Sequence, residues 1–351
     1  MSRKSIDGEP TASGREPHEL ANAAVALAAS APWLVEQRRM LEQAWQGIRF
    51  PHGLLVRGPA GVGKTALAEW TARLVLCDRR DIAPCGSCAS CQLLAAGNHP
   101  DLLRVGLEDD ARQVKIESVR ALAASLGMRS YRQGYKVAIV APADRMSPGA
   151  ANALLKTLEE PAPETLLVLV AAQVERLPAT IASRCQQLRV ARPAAPLALE
   201  WLQSRERRPD WAQCLELAYG APLRAMEIAE NGGAALAREM SELVVALAGA
   251  GRDLVAEAER WTKGGAADRV RWVEFWAARQ LRDASAGPAA KSLPSTALRR
   301  HIQALFAVHD RARESTLWLQ RGSVNAQLLV EGLLLDLVRA VRSRPTGGKN
   351  A

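Results

Sequence analysis

The sequence predicts an α/β domain built on a parallel sheet, carrying a cysteine-rich insertion and followed by two helical regions. Three observations predict it. The run Gly58-Pro-Ala-Gly-Val-Gly-Lys64-Thr65 fits the phosphate-binding pattern GxxxxGK[ST]. Two continuous apolar runs, at 136–141 and 165–171, have the length and composition of strands buried on both faces. From Ala234 onward the apolar spacing is helical throughout, with breaks at 249–251, 264–265 and 285–294.

Residues 1–30 are rich in Gly, Pro, Ser and charge and read as a disordered extension or the product of a misplaced start codon. The alanine run 21–30 resembles a signal-peptide core, but Asp7, Glu9, Glu16 and Glu19 precede it, which favours a cytoplasmic protein. No run of eighteen or more apolar residues is present, so no membrane span is expected. The segment 52–57 is a short buried strand leading into the loop, and 65–76 has helical spacing. In such a loop Gly58, Gly61 and Gly63 let backbone N–H groups curl around phosphate, Lys64 reaches the terminal phosphates and the Thr65 hydroxyl binds magnesium. The following helix points its positive end at the anion. ATP or ADP with Mg2+ is the expected ligand.

Four cysteines lie close together, in the order Cys77-x7-Cys85-x2-Cys88-x2-Cys91. Pro84, Gly86 and Ser87 supply tight turns that let the sulfurs converge, and four thiolates suit tetrahedral zinc with no open position, hence a structural site. A disulfide pairing fits a cytosolic protein poorly. Cys185 and Cys214 read as buried small apolar residues, and His99 as a turn residue outside the metal set.

Beyond the insertion, 102–105 is strand-like and 114–128 is helical, with Gly127 as its end. The strand 136–141 ends in Ala141-Pro142, where a hydrolysing P-loop protein keeps a magnesium-binding Asp and a catalytic Glu. Asp144 reads either as a cap of the helix containing 150–158 or as a water-mediated magnesium ligand. The strand 165–171 ends in Ala171-Ala172, where a polar side chain would contact the γ-phosphate or orient water. Loss of a general base alone is worth about 10²- to 10⁴-fold in rate. Hydrolysis at this loop is therefore expected to be negligible.

The loop, the four cysteines, the segment Asn152-Ala-Leu-Leu-Lys-Thr-Leu-Glu-Glu-Pro161 and the triplet Ser183-Arg184-Cys185 together resemble a bacterial clamp-loader AAA+ subunit over roughly residues 32–345. The resemblance implies an AAA+ domain at 31–192 with a zinc module at 77–91, a helical lid at 193–233 and an all-helical oligomerisation collar at 234–351. It implies a ring shared with tau/gamma motor subunits and a delta subunit, acting on a sliding clamp and primed DNA, as part of a DNA-directed DNA polymerase holoenzyme. Arg184 matches the arginine that such subunits present to ATP held by a neighbour. The missing acidic pair implies a stator, a subunit that supports the ring without hydrolysing ATP. The intact Lys64 and Thr65 depart from relatives with a degraded loop and imply that bound nucleotide is a structural element. Arg224, in Gly220-Ala-Pro-Leu-Arg224, lies one residue further from its glycine than a phosphate-sensing arginine in hydrolysing relatives, and reads as a phosphate contact or as an ordinary helix-surface residue. The apolar segment 324–338 reads as core, and by the resemblance as part of the collar.

Two other readings stand beside this one. The chain is a motor of the tau/gamma type, using Asp144 or Glu159 in place of the lost pair. Or it is a zinc-dependent nucleic-acid-binding protein, for which a net charge of +9 is suitable but an aromatic content of 4% offers no evident stacking platform.

Overall fold

The computed structural model describes residues 17–47, 50–108, 111–249, 253–286, 296–321 and 325–344. By contacts the chain divides into two compact units, Met1–Glu227 and Ile228–Ala351.

The first unit opens with α1 (Pro17–Ser30) and α2 (Val35–Gln46). The helix α1 corrects the expectation of a disordered extension reaching residue 30. Alanine is the best helix former, and its small side chains let Ala21 and Ala28 bury as α1 lies against the later helices. The signals of disorder come from residues 1–16, which lie outside the described residues.

Next come β1 (Gly53–Arg57), α3 (Lys64–Leu76), α4 (Ala89–Ala95), β2 (Leu102–Val105), α5 (Ile116–Leu126), β3 (Lys136–Val140), α6 (Pro148–Glu159), β4 (Thr165–Ala171), α7 (Ala179–Ala182) and β5 (Gln186–Arg189). The strands form one parallel sheet in the order β2-β3-β4-β1-β5. Side chains alternate between its faces with period two. Leu55, Ala138, Val140, Leu167, Leu169 and Ala171 share one core with Val119, Leu122 and Leu126 of α5 and Leu154 and Leu158 of α6. The helix α3 packs against β1, β3 and β4 and is buried along almost its whole length. The strand β4, buried at every position, has a neighbour on each edge, which is why its sequence is a continuous apolar run. Lys136 is buried at the start of β3, its ammonium donating to the carbonyls of Ser125 (2.9 Å) and Arg129 (3.2 Å).

The unit closes with α8 (Ala195–Arg205), α9 (Trp211–Leu217) and α10 (Pro222–Glu230), within which the division of the chain falls. The helix α9 stops at Leu217, because Tyr219 (φ 53°) and Gly220 (φ 79°) turn the backbone left-handed.

The second unit is helical among its described residues: α11 (Gly233–Ala248), α12 (Leu254–Lys263), α13 (Ala266–Ala286), α14 (Thr296–Arg321) and α15 (Ala326–Arg342). Asp253 caps α12 by accepting from the N–H groups of Val255 (2.9 Å) and Ala256 (3.2 Å), and Asn325 caps α15 in the same way. Val330, Leu333, Leu334 and Leu337 of α15 are buried among α11, α12 and α14, so the apolar segment is mainly core, while Leu328 and Leu335 stay exposed. No helix among the described residues is long and apolar enough to cross a membrane.

Candidate functional site

The phosphate loop leaves the sheet at the end of β1, between β4 and β5. Gly58 takes φ 150°, and a Cβ there would stand 2.0 Å from the carbonyl oxygen of Val190, so only glycine lets the loop pass. Lys64, the first residue of α3, is buried and donates to the carbonyl of Pro59 at 2.6 Å. Burial depresses its pKa to about 8, against a smaller opposing pull from the Asp144 carboxylate. A cation held this far from water, with only a neutral oxygen in contact, is chemically matched to an anion. Thr65 is exposed beside it. Lys64 and Thr65 are thus placed where they could hold the phosphates of a nucleotide.

The ends of β3 and β4 lie side by side next to this loop. Gly58 N–H donates to Ala171 O at 3.3 Å, so the alanine-terminated end of β4 touches the loop itself. Asp144 does not cap α6. Ser147 does, accepting from Ala150 N–H at 3.2 Å. Asp144 instead ties the two strand ends together, its Oδ2 accepting from Gln173 N–H at 2.9 Å, while its Oδ1 is buried without a hydrogen-bond partner.

The helix α10 reaches the same loop. Leu223 N–H donates to Gly61 O at 3.0 Å, and a Cβ on Gly61 would meet the Arg224 Cβ at 2.7 Å. The structure therefore brings Arg224 against the loop, with its guanidinium on Glu227 at 2.6 Å.

Cys77, Cys85, Cys88 and Cys91 converge, with their sulfurs all within 4.8 Å of one another. Cys77 and Cys88 are 3.9 Å apart and Cys85 and Cys91 4.0 Å apart, whereas four thiolates around zinc at about 2.3 Å stand about 3.8 Å from each other. The N–H groups of Cys85, Cys88 and Cys91 donate to the sulfurs of Cys77, Cys85 and Cys88 respectively, at 3.3–3.4 Å. Donation from the Ser87 N–H, with a further one from Cys88, brings the Cys85 thiol down to about 6, while burial pushes Cys91 up. The donor set can hold a metal ion. His99 stands outside it: its Nδ1 accepts from Asp101 N–H at 3.2 Å, which leaves Nε2–H to donate to Ser90 Oγ at 3.3 Å. Cys185 and Cys214 are buried thiols, as expected.

Arg184 lies elsewhere. It follows α7 and precedes β5, which runs parallel to β1 with Gln186 beside Leu54. The triplet thus sits at the start of β1 and the phosphate loop at its end. Five residues at about 3.3 Å each put about 16 Å of strand between them.

The sequence matches the family described as DNA polymerase III, delta subunit, over residues 35–194. It is 40% identical over 206 residues to the DNA polymerase III subunit delta' of Pseudomonas aeruginosa, a match covering 57% of this chain and 62% of that one. It is 33% identical over 150 residues to the subunit tau of Bacillus subtilis, covering 42% and 26%. Its match to the subunit delta' of Yersinia pestis is 32% identical over 259 residues and covers 69% of this chain and 76% of that one. The chain belongs to the delta' family of DNA polymerase III subunits. With several of its delta' relatives, the Pseudomonas protein among them, the match spans less than two thirds of the relative's length.

Three residues of this delta' family member acquire contacts that its sequence does not announce. Trp33, upstream of the sheet, donates its indole N–H to Val62 O of the phosphate loop at 2.9 Å and stands edge-on to Trp201 of α8 at 5.0 Å. Asp144 was legible as an acid near the loop but not as the link between strand ends. Glu159, weighed as a substitute base, is in an ion pair with Arg184 at 2.8 Å. The pairing of residues 25 positions apart carries no local signal; only the sheet topology creates it.

Proposed function

We propose that this chain is the delta' stator of a DNA polymerase III clamp loader. It supports the ring, presents Arg184 to ATP on a neighbouring tau/gamma subunit, and with a delta subunit helps place a sliding clamp on primed DNA in the cytoplasm. The observation that carries the reading is the position of Arg184, half-exposed at the opposite end of β1 from the chain's own phosphate loop. An arginine there cannot serve its own loop, and a fixed guanidinium at a partner's γ-phosphoryl group is worth about 10³ to 10⁵ in rate. Residues 193–233 act as the lid and residues 234–351 as the collar. The cysteines hold structural zinc, with no open ligand position, and the zinc fixes the fold of the insertion without entering the chemistry. The loop holds ATP or ADP through Gly58, Gly61, Gly63, Lys64 and Thr65, with Arg224 near the phosphates, and the bound nucleotide is a structural element.

The test is steady-state ATP hydrolysis by the purified chain with magnesium, beside a Lys64→Ala control. No turnover above the control is expected. In the assembled clamp loader, Arg184→Ala is expected to lower ATP turnover while leaving assembly intact.

The motor reading retains one supporting observation, the Asp144 carboxylate beside the strand ends and electrostatically coupled to Lys64. Turnover abolished by both Lys64→Ala and Asp144→Asn would favour it.

A further inference from the structure

The Arg184 guanidinium is held by two contacts from two different elements. Its Nη1 donates to Thr180 O of α7 at 3.0 Å, and its Nη2 meets Glu159 Oε1, on the last residue of α6, at 2.8 Å. Each anchor is fixed by core packing. Leu158, beside Glu159, is 2% exposed, and Ile181, beside Thr180, is fully buried. The start of β1 closes the frame: a Cβ on Gly53 would stand 2.9 Å from Leu158 Cδ2, 3.3 Å from Cys185 Sγ and 3.4 Å from Arg184 O. The end of α6, the start of β1 and the Ser-Arg-Cys backbone therefore meet at one closely packed point.

An ion pair with partners 38% and 49% exposed adds little to the stability of a fold. Its consequence here is orientation. Arginine is a long side chain with many rotamers, and a group that acts on a neighbour's phosphate is effective only when held in its working geometry beforehand. A guanidinium has about five N–H donors, and the two contacts above use two of them, leaving the rest of the fork for phosphate oxygens.

We propose that Glu159 is the positioning residue of Arg184, fixing its guanidinium for action on nucleotide held by the adjacent subunit. The inference rests on the reading of Arg184 given above. Glu159 touches no nucleotide and takes no part in proton transfer; it acts only through Arg184.

The test uses the complete clamp loader, reassembled with its motor subunits, the clamp and primed DNA, and compares Glu159→Gln, Arg184→Ala and the double variant. Glutamine keeps the shape of the side chain and one acceptor oxygen but removes the charge. Glu159→Gln is expected to lower the Arg184-dependent part of kcat by about fivefold, the size of a single well-formed surface contact. KM for ATP and the melting temperature should stay unchanged, and the substitution should have no further effect in the Arg184→Ala background. Glu159→Asp, which restores the charge, should recover part of the loss. Three results would overturn the inference: unchanged turnover in Glu159→Gln where Arg184→Ala is impaired, an equal loss in the Arg184→Ala background, or a rise in turnover, which would make Glu159 a restraint. Unchanged turnover in Arg184→Ala itself would overturn the underlying reading, and the inference with it.

Discussion

Lys64 illustrates how a single residue carries both structural strain and chemical purpose. Burial disfavours its ammonium, so the folded chain releases the proton at about pH 8, while a solvated lysine holds it to about 10.5. Between those values the unfolded chain binds more protons, so the stability of the free protein rises with pH there, by the sign of the linkage. Nucleotide binding runs the other way, because phosphate needs the charged form. Affinity for ATP or ADP, measured by fluorescent-nucleotide titration, is expected to be level below pH 8 and to fall about tenfold per pH unit above it. Lys64→Met should flatten that profile at a uniformly weak affinity. Gly61 offers a second residue-scale prediction. With φ 74° and Arg224 N at 2.9 Å from an added Cβ, Gly61→Ala is expected to cost about 1–3 kcal/mol in denaturant unfolding and to weaken nucleotide binding as α10 is pushed off the loop. The glycines were legible because the motif fixes their spacing. The identity of what crowds them was not, since Val190 and Arg224 arrive from far along the chain.

At the scale of elements, the cysteine module is the clearest case of local sequence dictating local structure. Its turns, its N–H···S bonds and its converging sulfurs all come from fifteen consecutive residues, Cys77 to Cys91. It is tied to the sheet by one polar knot: Ser90 Oγ donates to Asp78 at 2.6 Å and accepts from Arg132 Nε at 2.9 Å, while the Asp101 carboxylate accepts from the N–H groups of Tyr131 and Arg132. We expect one zinc per chain by elemental analysis, and loss of that zinc in Cys91→Ser. Chelation should raise hydrogen exchange across 77–95 and in the 129–134 loop, and leave the amides of β4 protected. The helix α1 teaches the opposite lesson. Composition placed it in a disordered extension, but Asn22 reaches Ala95 O at 2.8 Å and Arg73, contacts that exist only once α3 and α4 are in place. The strands β1, β3 and β4 were legible from apolar runs, whereas β5, with the sequence Gln-Gln-Leu-Arg, carries none. The helix stop at Leu217 was not, because it depends on a left-handed Tyr219.

On the scale of the whole molecule, each of the two units has a core of its own: the sheet core in the first, and Met240, Leu243, Trp261, Leu305 and Leu333 in the second. Thermal unfolding is therefore expected to depart from a single two-state step, with a calorimetric enthalpy above the van't Hoff value in scanning calorimetry. The α/β class was readable from the phosphate-loop motif and two apolar runs, and the helical remainder from apolar spacing, whereas the ion pair of Glu159 and Arg184 needed the strand order. That order has one more consequence. The strand β1 is flanked by β4 on one side and β5 on the other, and is only five residues long. It works as a ruler between the phosphate loop at one tip and the Ser-Arg-Cys triplet at the other, so inserting a single residue into it would miscalibrate the spacing of two places that share no side chain.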